Sequence, residues 1–454
     1  MDENNWKQRT FYMGFDWAKE EHEIVVVDGD GRITLDLRIK HTAEGWHRLR
    51  EKLVDLAGLD LSVVAVAIET NRGPAVERLL ELGCTIYPLN PKAAQRYRDR
   101  KAPSGGKTDH LDAFSFADAL RTDGHGWREL KPEDSKIQEL RLLCRDETKL
   151  IRQRTALVNQ LQEALHEYYP AALEAFDDWT VPSPWAFIER FPTPHALKKA
   201  GKRRWEKFLH TQHLYRPETN QKRLDIFARA TEFCGGQAVS NAKSLLAVSL
   251  AKRLNLLEQQ LNGYRKRIKE LFQEHPDYDL FDSLPGVGEK LGPRLLSECG
   301  EDRECFEDHQ ALQCYAGTAP VSFQSGQMHK VKFRYACNKN LRAAVHLWGD
   351  LSRRQSAWAQ VYYCQKRLEG KSHSCALRCL GQRWLKILWK MWQTKKPYDE
   401  QVHTRNQIKH GSWVLAMAPV SNSGKQIHAL LAEKKCGEPV RKAAEKIQKL
   451  LLQA

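Results

Sequence analysis

Two acids three residues apart, Asp109 and Asp112, have the types and spacing to do chemistry. They lie in Lys107-Thr108-Asp109-His110-Leu111-Asp112-Ala113, after the loop-like run Ala102-Pro103-Ser104-Gly105-Gly106. Thr108 is suited to cap a helix, and Leu111, Phe114, Ala117 and Leu120 recur at helical spacing beyond it. On such a helix the two acids share a face, with Cβ atoms roughly 5–6 Å apart. Carboxylates held that close repel unless a cation neutralises them, which is the chemistry of a divalent-metal site. Acids in a first helical turn also answer the positive end of the helix dipole. The segment alone supports the two readings equally.

The elements before it must supply any further ligands. Residues 11–19 read as a strand carrying Asp16; a second strand spans 23–27, a third 33–39, and Asp28-Gly29-Asp30-Gly31 turns between them. Short connections make these an antiparallel meander. Residues 42–56 have helical periodicity, and 61–68 form an apolar run rich in Val and Ala, expected of a central strand buried on both faces. That run ends on Glu69, before the breakers Asn71, Gly73 and Pro74. A short helix (75–82), a strand (85–89) and a helix from Pro91 complete an α/β alternation. Sites in such sheets form beyond the carboxyl ends of the strands. Asp16 and Glu69 occupy such ends, and the order is similar to the ribonuclease-H-like fold, in which acids from the first strand, a central strand and a later helix share divalent metal. That resemblance favours the metal reading of Asp109 and Asp112.

Charge divides the chain. Of 72 Lys and Arg and 57 Asp and Glu, residues 1–130 hold 19 and 22, leaving 53 and 35 for residues 131–454. A net charge of −3 thus precedes one of +18, which suits a metal-binding head on a body that grips a polyanion. No apolar run approaches the ~20 residues of a membrane span, and no secretory signal is evident at the start. The 11 cysteines include no Cys-x-x-Cys pair, and His373, Cys375 and Cys379 fit no standard zinc spacing. Reduced thiols in a cytoplasmic protein are the expectation.

Residues 135–168 predict a long amphipathic helix whose apolar stripe needs a partner, and residues 239–273 a second. Together they suggest an antiparallel coiled-coil arm around a small insert, with an ordinary helical bundle as the alternative. The insert carries the basic run Lys198, Lys199, Lys202, Arg203 and Arg204, expected to contact phosphates. Next, Leu284-Pro285-Gly286-Val287-Gly288-Glu289-Lys290 has the form of a helix-hairpin-helix turn, which offers backbone N–H groups to a phosphate. Gln324-Ser325-Gly326 and Asn338-Lys339-Asn340-Leu341-Arg342 follow. A lone Ser-Gly is most often just a turn.

Taken together, D…E…D-x-x-D, Leu-Pro-Gly-Val-Gly, Ala316-Gly317-x-x-Pro320, Gln-Ser-Gly and Asn-x-x-Leu-Arg resemble the insertion-sequence one-hundred-ten family over about residues 11–400. These are DEDD transposases with a RuvC-like head and a serine-bearing tail domain. The resemblance implies a ribonuclease-H-like domain over 1–130, a helical coiled-coil region over 131–275, a serine transposase domain over 276–400 and a basic extension over 401–454. It implies that Asp16, Glu69, Asp109 and Asp112 bind one or two Mg²⁺ ions and that Ser325 is the nucleophile. Partners would be donor and target double-stranded DNA, a guide (bridge) RNA and further copies of the chain, as dimer or tetramer, in a bacterial or archaeal cytoplasm at the nucleoid. Lys107, Gly286, Gly288, Lys290, Asn340 and Arg342 join the basic run as expected nucleic-acid contacts. The chain departs from the family in having Gly-Thr-Ala-Pro where Gly-Leu-x-Pro is usual, and Tyr335-Ala336-Cys337-Asn338 for Lys-x-Gly-Asn. The enzymatic alternative is a RuvC-like junction nuclease in which Ser325 is structural; a non-catalytic binding protein would leave the acids unexplained. Because the long helices separate Ser325 from the acids, sequence order predicts an active site shared between two copies.

Overall fold

The computed structural model describes residues 6–230 and 236–410, in two units, Met1–Pro132 and Glu133–Ala454. In the first, strands β1 (Phe11–Asp16), β2 (Glu21–Val27) and β3 (Ile33–Lys40) form the antiparallel meander. Asp28 closes the β2–β3 turn, its Oδ1 accepting the N–H groups of Asp30 and Arg32 at 3.0 and 2.8 Å. After helix α1 (Ala43–Ala57), strand β4 (Val64–Ile68) joins β1 in parallel; after α2 (Pro74–Glu81), β5 (Thr85–Pro88) joins β4, giving the order β3-β2-β1-β4-β5. Helices α3 (Pro91–Lys101) and α4 (Asp109–Asp123) follow. Leu61–Val63, expected as strand, instead form a 3₁₀ turn in which Asp60 caps Ser62 N. A local side-chain hydrogen bond outcompetes the ladder there.

Side-chain alternation divides the sheet between two cores. Met13, Phe15, Ile24, Val26, Val64, Val66 and Ile68 enter one with α1 and α2. Tyr12, Val25, Val27, Ala65 and Ala67 face the other, where Ala113, Phe116, Ala117 and Leu120 of α4 pack. β4 therefore puts its large residues on one face and alanines on the other, letting α4 lie close. Gly14 completes that fit: a Cβ there would stand 1.8 Å from the Ala113 carbonyl oxygen and 2.7 Å from the Ala117 nitrogen.

The second unit is mainly helical. Helix α5 (Ser135–Tyr168) leads into α6 (Pro170–Ala175), α7 (Pro182–Arg190), α8 (Pro194–Thr211) and α9 (Pro217–Arg229), each opening with proline in its first turn. Helix α10 (Gln237–Glu274) then returns along α5. Ion pairs Lys136–Glu274 (2.9 Å), Arg267–Glu139 (2.8 Å), Arg154–Glu258 (2.8 Å) and Lys243–Glu167 (2.6 Å) fix an antiparallel register. The insert meets much of the need for a partner: Leu157, Leu161, Leu165, Leu250, Leu254 and Leu261 share a core with Trp185, Phe187 and Trp205. Burial inside one chain thus covers much of a stripe that the sequence shows to need a partner. Leu142, Leu245 and Leu256 remain exposed.

Helices α11 (Tyr278–Asp282), α12 (Gly288–Cys299) and α13 (His309–Tyr315) precede a hairpin, β6 (Val321–Ser325) and β7 (Met328–Lys332). Helices α14 (Lys339–Ser352), α15 (Ala357–Leu368), α16 (His373–Thr394) and α17 (Glu400–Lys409) follow. Trp348, Trp358, Trp384 and Trp392 anchor their core. Most of the basic extension expected over 401–454 lies outside the described residues. Among the described residues no helix is long and apolar enough to cross a membrane.

Candidate functional site

Register, not proximity in sequence, assembles the acids. Phe15 of β1 pairs with Ile68 of the parallel β4, so Asp16 and Glu69 leave neighbouring strands at the same end. Thr108 caps α4 as expected, its Oγ1 accepting Leu111 N–H at 3.1 Å, and places Asp109 and Asp112 in the first turn. Contact between Gly14 and Ala113 brings that turn to the strand ends. Burial, then the charges of Asp112, Asp109 and Glu69, push the Asp16 carboxyl up to about 7, while Lys107 opposes them. Burial and Asp112 likewise raise Glu69, against Arg98 and Lys107. All four acids therefore share one field. A cleft of about 390 Å³ beside Asp16 and Asp109 is floored by His22, Glu23 and Arg38.

Four mutually repelling oxygen donors suit a hard divalent cation, so the donor chemistry fits. Among the described residues, however, no three His, Cys, Asp or Glu side chains close around one point. One reason is visible: Arg98 Nη1 holds Asp112 Oδ1 at 2.7 Å, and Asp112 is only 5% exposed. Arg98 sets one positive charge against the quartet. Sequence reading missed it, because nothing in its spacing marks it. His22 was missed too: fully buried, its Nδ1 accepts Ala18 N–H at 3.4 Å and its Nε2 meets His41 Nδ1 at 2.9 Å, tying down the chain just after Asp16.

Ser325 ends β6 at the tip of the hairpin, exposed, paired in register with Met328. Gly326 takes the first central turn position with φ 53, as in a type II′ hairpin turn. The hydroxyl is presented rather than enclosed.

The comparisons with known proteins now bear on this geometry. Residues 13–170 match a family model described as transposase, and residues 278–364 one described as transposase IS116/IS110/IS902 family. A mini-circle putative transposase for IS117 from Streptomyces coelicolor is 33% identical over 86% of this chain and 96% of its own length. The chain belongs to this transposase family. Two further relatives are the 42 kDa protein of insertion element IS900 from Mycobacterium paratuberculosis (28% identical; 87% and 98% covered) and the 43.6 kDa protein of insertion element IS110 from Streptomyces coelicolor (27%; 86% and 96%). The acids and Ser325 all fall within the matched spans.

In this transposase the glycine turn does not behave as its pattern suggests. Gly286 adopts φ 76, but its N–H donates to Gln355 Oε1 at 2.6 Å, and a Cβ there would stand 2.6 Å from Ser352 N. That N–H is taken by a side chain of the same unit. Gly288 and Lys290 are exposed at the start of α12, which has no side-chain cap. Lys198, Lys199, Lys202, Arg203 and Arg204 are all exposed on α8, which kinks at Gly201 (φ 74). Asn340 is exposed, and Arg342 is half-buried against Phe333. The Asn-x-x-Leu-Arg motif owes its asparagine to structure: Asn338 Oδ1 caps α14, and its Nδ2 donates to Glu298 (2.8 Å) and Tyr315 (2.9 Å). Glu298 is in turn gripped by Arg145 through two bonds of 2.6 Å.

Proposed function

We propose that this transposase is an RNA-guided DNA recombinase of a mobile element, cutting and rejoining strands through a covalent phosphoserine link. The observation that carries the reading is the common field of Asp16, Glu69, Asp109 and Asp112 at one end of the sheet. These four residues would hold one or two Mg²⁺ ions, which when bound polarise the scissile phosphate and stabilise the leaving oxygen. Ser325 Oγ attacks phosphorus, gives its proton to water, and forms the Oγ–P bond as the bond to the leaving DNA oxygen breaks; that oxygen takes a proton. A hydroxyl of the incoming strand reverses the step and frees the serine. Lys107 helps balance the acids' charge, and the exposed cations of α8 grip phosphates. A guide RNA beside the DNA would draw on the same +18 charge of residues 131–454.

A second reading has one observation in its favour: Ser325 is exposed on an open hairpin rather than seated beside a base. A junction nuclease using water would then leave free ends. Trapping the reaction under denaturing conditions decides between them. A protein–DNA adduct that forms with the unaltered chain and is lost in Ser325→Ala supports recombination; DNA cut by Ser325→Ala and left unjoined supports the nuclease. Asp109→Ala should abolish cleavage, by at least about 10³-fold if charge stabilisation at the leaving oxygen is lost. Mixing Asp109→Ala with Ser325→Ala reads whether two copies share the work, since recovered adduct requires it. Recombination by an RNase-treated preparation at the untreated rate would remove the guide RNA.

A further inference from the structure

Two stretches of the second unit contain no carboxylate at all. Residues 309–349 carry five Lys and Arg, residues 370–398 carry seven, and neither has an Asp or Glu. Packing of α13 and α14 against α16 brings them together. At their junction the Phe333 ring lies between two guanidiniums, Arg342 at 5.1 Å and Arg378 at 4.6 Å. Cation–π attraction is worth about 0.5–2 kcal/mol and leaves both charges uncancelled. Among the described residues neither arginine has a carboxylate partner; Arg342 makes one long bond, 3.4 Å, to the Arg334 carbonyl oxygen. Elsewhere in the unit Arg141, Arg145, Arg154, Arg294 and Arg353 all meet acids. Arg378 and Phe333 line a cleft of about 300 Å³ between the hairpin and α16, together with Lys332, Arg334 and Lys371.

Beside this anion site stand two exposed rings, one of them edge-on to Phe333. Tyr335 is 76% and Phe323 45% exposed, and Lys332 lies 4.7 Å from the Phe323 centroid. Rings next to unpaired cations are the means of gripping a single strand, whose base faces are free to stack; a duplex hides them. The hairpin sets the direction. Ser325 pairs with Met328 at its tip, and Phe333 lies five residues further along, roughly 16 Å at strand rise.

We propose that this face binds a short unpaired DNA strand leading away from Ser325, with phosphates on Arg342 and Arg378 and bases on Phe323 and Tyr335. The choice of DNA rests on the serine reading, because the strand reaching Ser325 is the one being joined. The full chain is titrated with a fluorescent twelve-nucleotide oligothymidylate, the matching oligouridylate and a DNA duplex, as unaltered protein, Arg342→Met/Arg378→Met and Phe323→Ala/Tyr335→Ala. Oligothymidylate affinity should fall about tenfold or more in each variant, as loss of one stacked base implies, with duplex affinity changed less than threefold. The arginine variant should lower the salt slope for oligothymidylate by about 1.4, two single-strand contacts' worth. Unchanged oligothymidylate affinity, an equal loss on duplex, or a loss confined to oligouridylate would overturn the proposal. The aromatic pair is exposed, so its variant should melt with the unaltered chain and guards against a folding artefact. Adduct formation by the unaltered chain reads the serine separately: without adduct but with the selective loss, the groove stands and the serine reading falls.

Discussion

The acids and the serine stand on opposite kinds of support. Asp16 and Glu69 follow strands whose interiors are buried on both faces, in a five-stranded sheet. Ser325 ends a two-stranded hairpin exposed along nearly its whole length. The first arrangement holds its geometry before any substrate arrives, because moving an acid means unpacking a core. A lone hairpin is marginally stable, and this one is tethered mainly at its base, where Arg334 Nε donates to the Ala319 carbonyl at 3.1 Å. A charge-stabilising site gains from such preorganisation. Ser325, if it is the proposed nucleophile, would have to reach one strand and release it to another, and would gain from presentation.

The largest effect that could break this contrast is at Gly14. Gly14→Ala puts a methyl 1.8 Å from the Ala113 carbonyl oxygen, so α4 must lift and carry Asp109 and Asp112 away from Asp16. Loss of cleavage and a destabilisation of about 3 kcal/mol or more are expected, overpacking against backbone being at the upper end of its range. A Gly14→Ala protein that melts and cuts normally would show that the acids are not fixed by that contact. Next is Gly326→Val. Open space surrounds Gly326, so only its φ of 53 resists a β-branched side chain, at a cost of about 1–2 kcal/mol confined to the hairpin. Adduct formation should slow while the melting temperature of the whole chain hardly moves; a large drop in melting temperature would mean the hairpin is structural after all.

The smallest effect is a pH dependence in the first unit. Burial, with His41 adding to it, lowers His22 from 6.5 to about 4. Its neighbours are His41, Phe15 and Trp46, with Ala18 N–H on Nδ1 and no carboxylate contact of its own. A histidine kept neutral on folding contributes stability above pH 6.5 that is lost as pH falls toward 4. The fall in melting temperature across that window should be smaller in His22→Phe than in the unaltered chain, by a few degrees. Equal falls would remove His22 from the support of Asp16.

Much of this architecture was legible in the residues. Helix α5 begins and ends where its periodicity and Tyr169-Pro170 place it, Thr108 caps α4, and D…E…D-x-x-D falls at the end of one strand, just past another and in the first turn of a helix. Legible features share a cause: periodicity, capping and turn chemistry act between residues a few positions apart, so spacing encodes them.

Tertiary structure alone decided the partners. Arg98 took Asp112, Gln355 took the Gly286 N–H that a pattern offered to phosphate, and Glu298 linked Arg145 to Asn338. The insert around Trp185 and Trp205 covered much of a leucine stripe whose partner the sequence leaves open. Phe333 found two arginines from different helices. These pairs lie up to 153 residues apart. At such separations charge and polarity say that a group needs a partner, and only the packing of distant segments, driven by apolar burial with little regard to direction, says which one it gets.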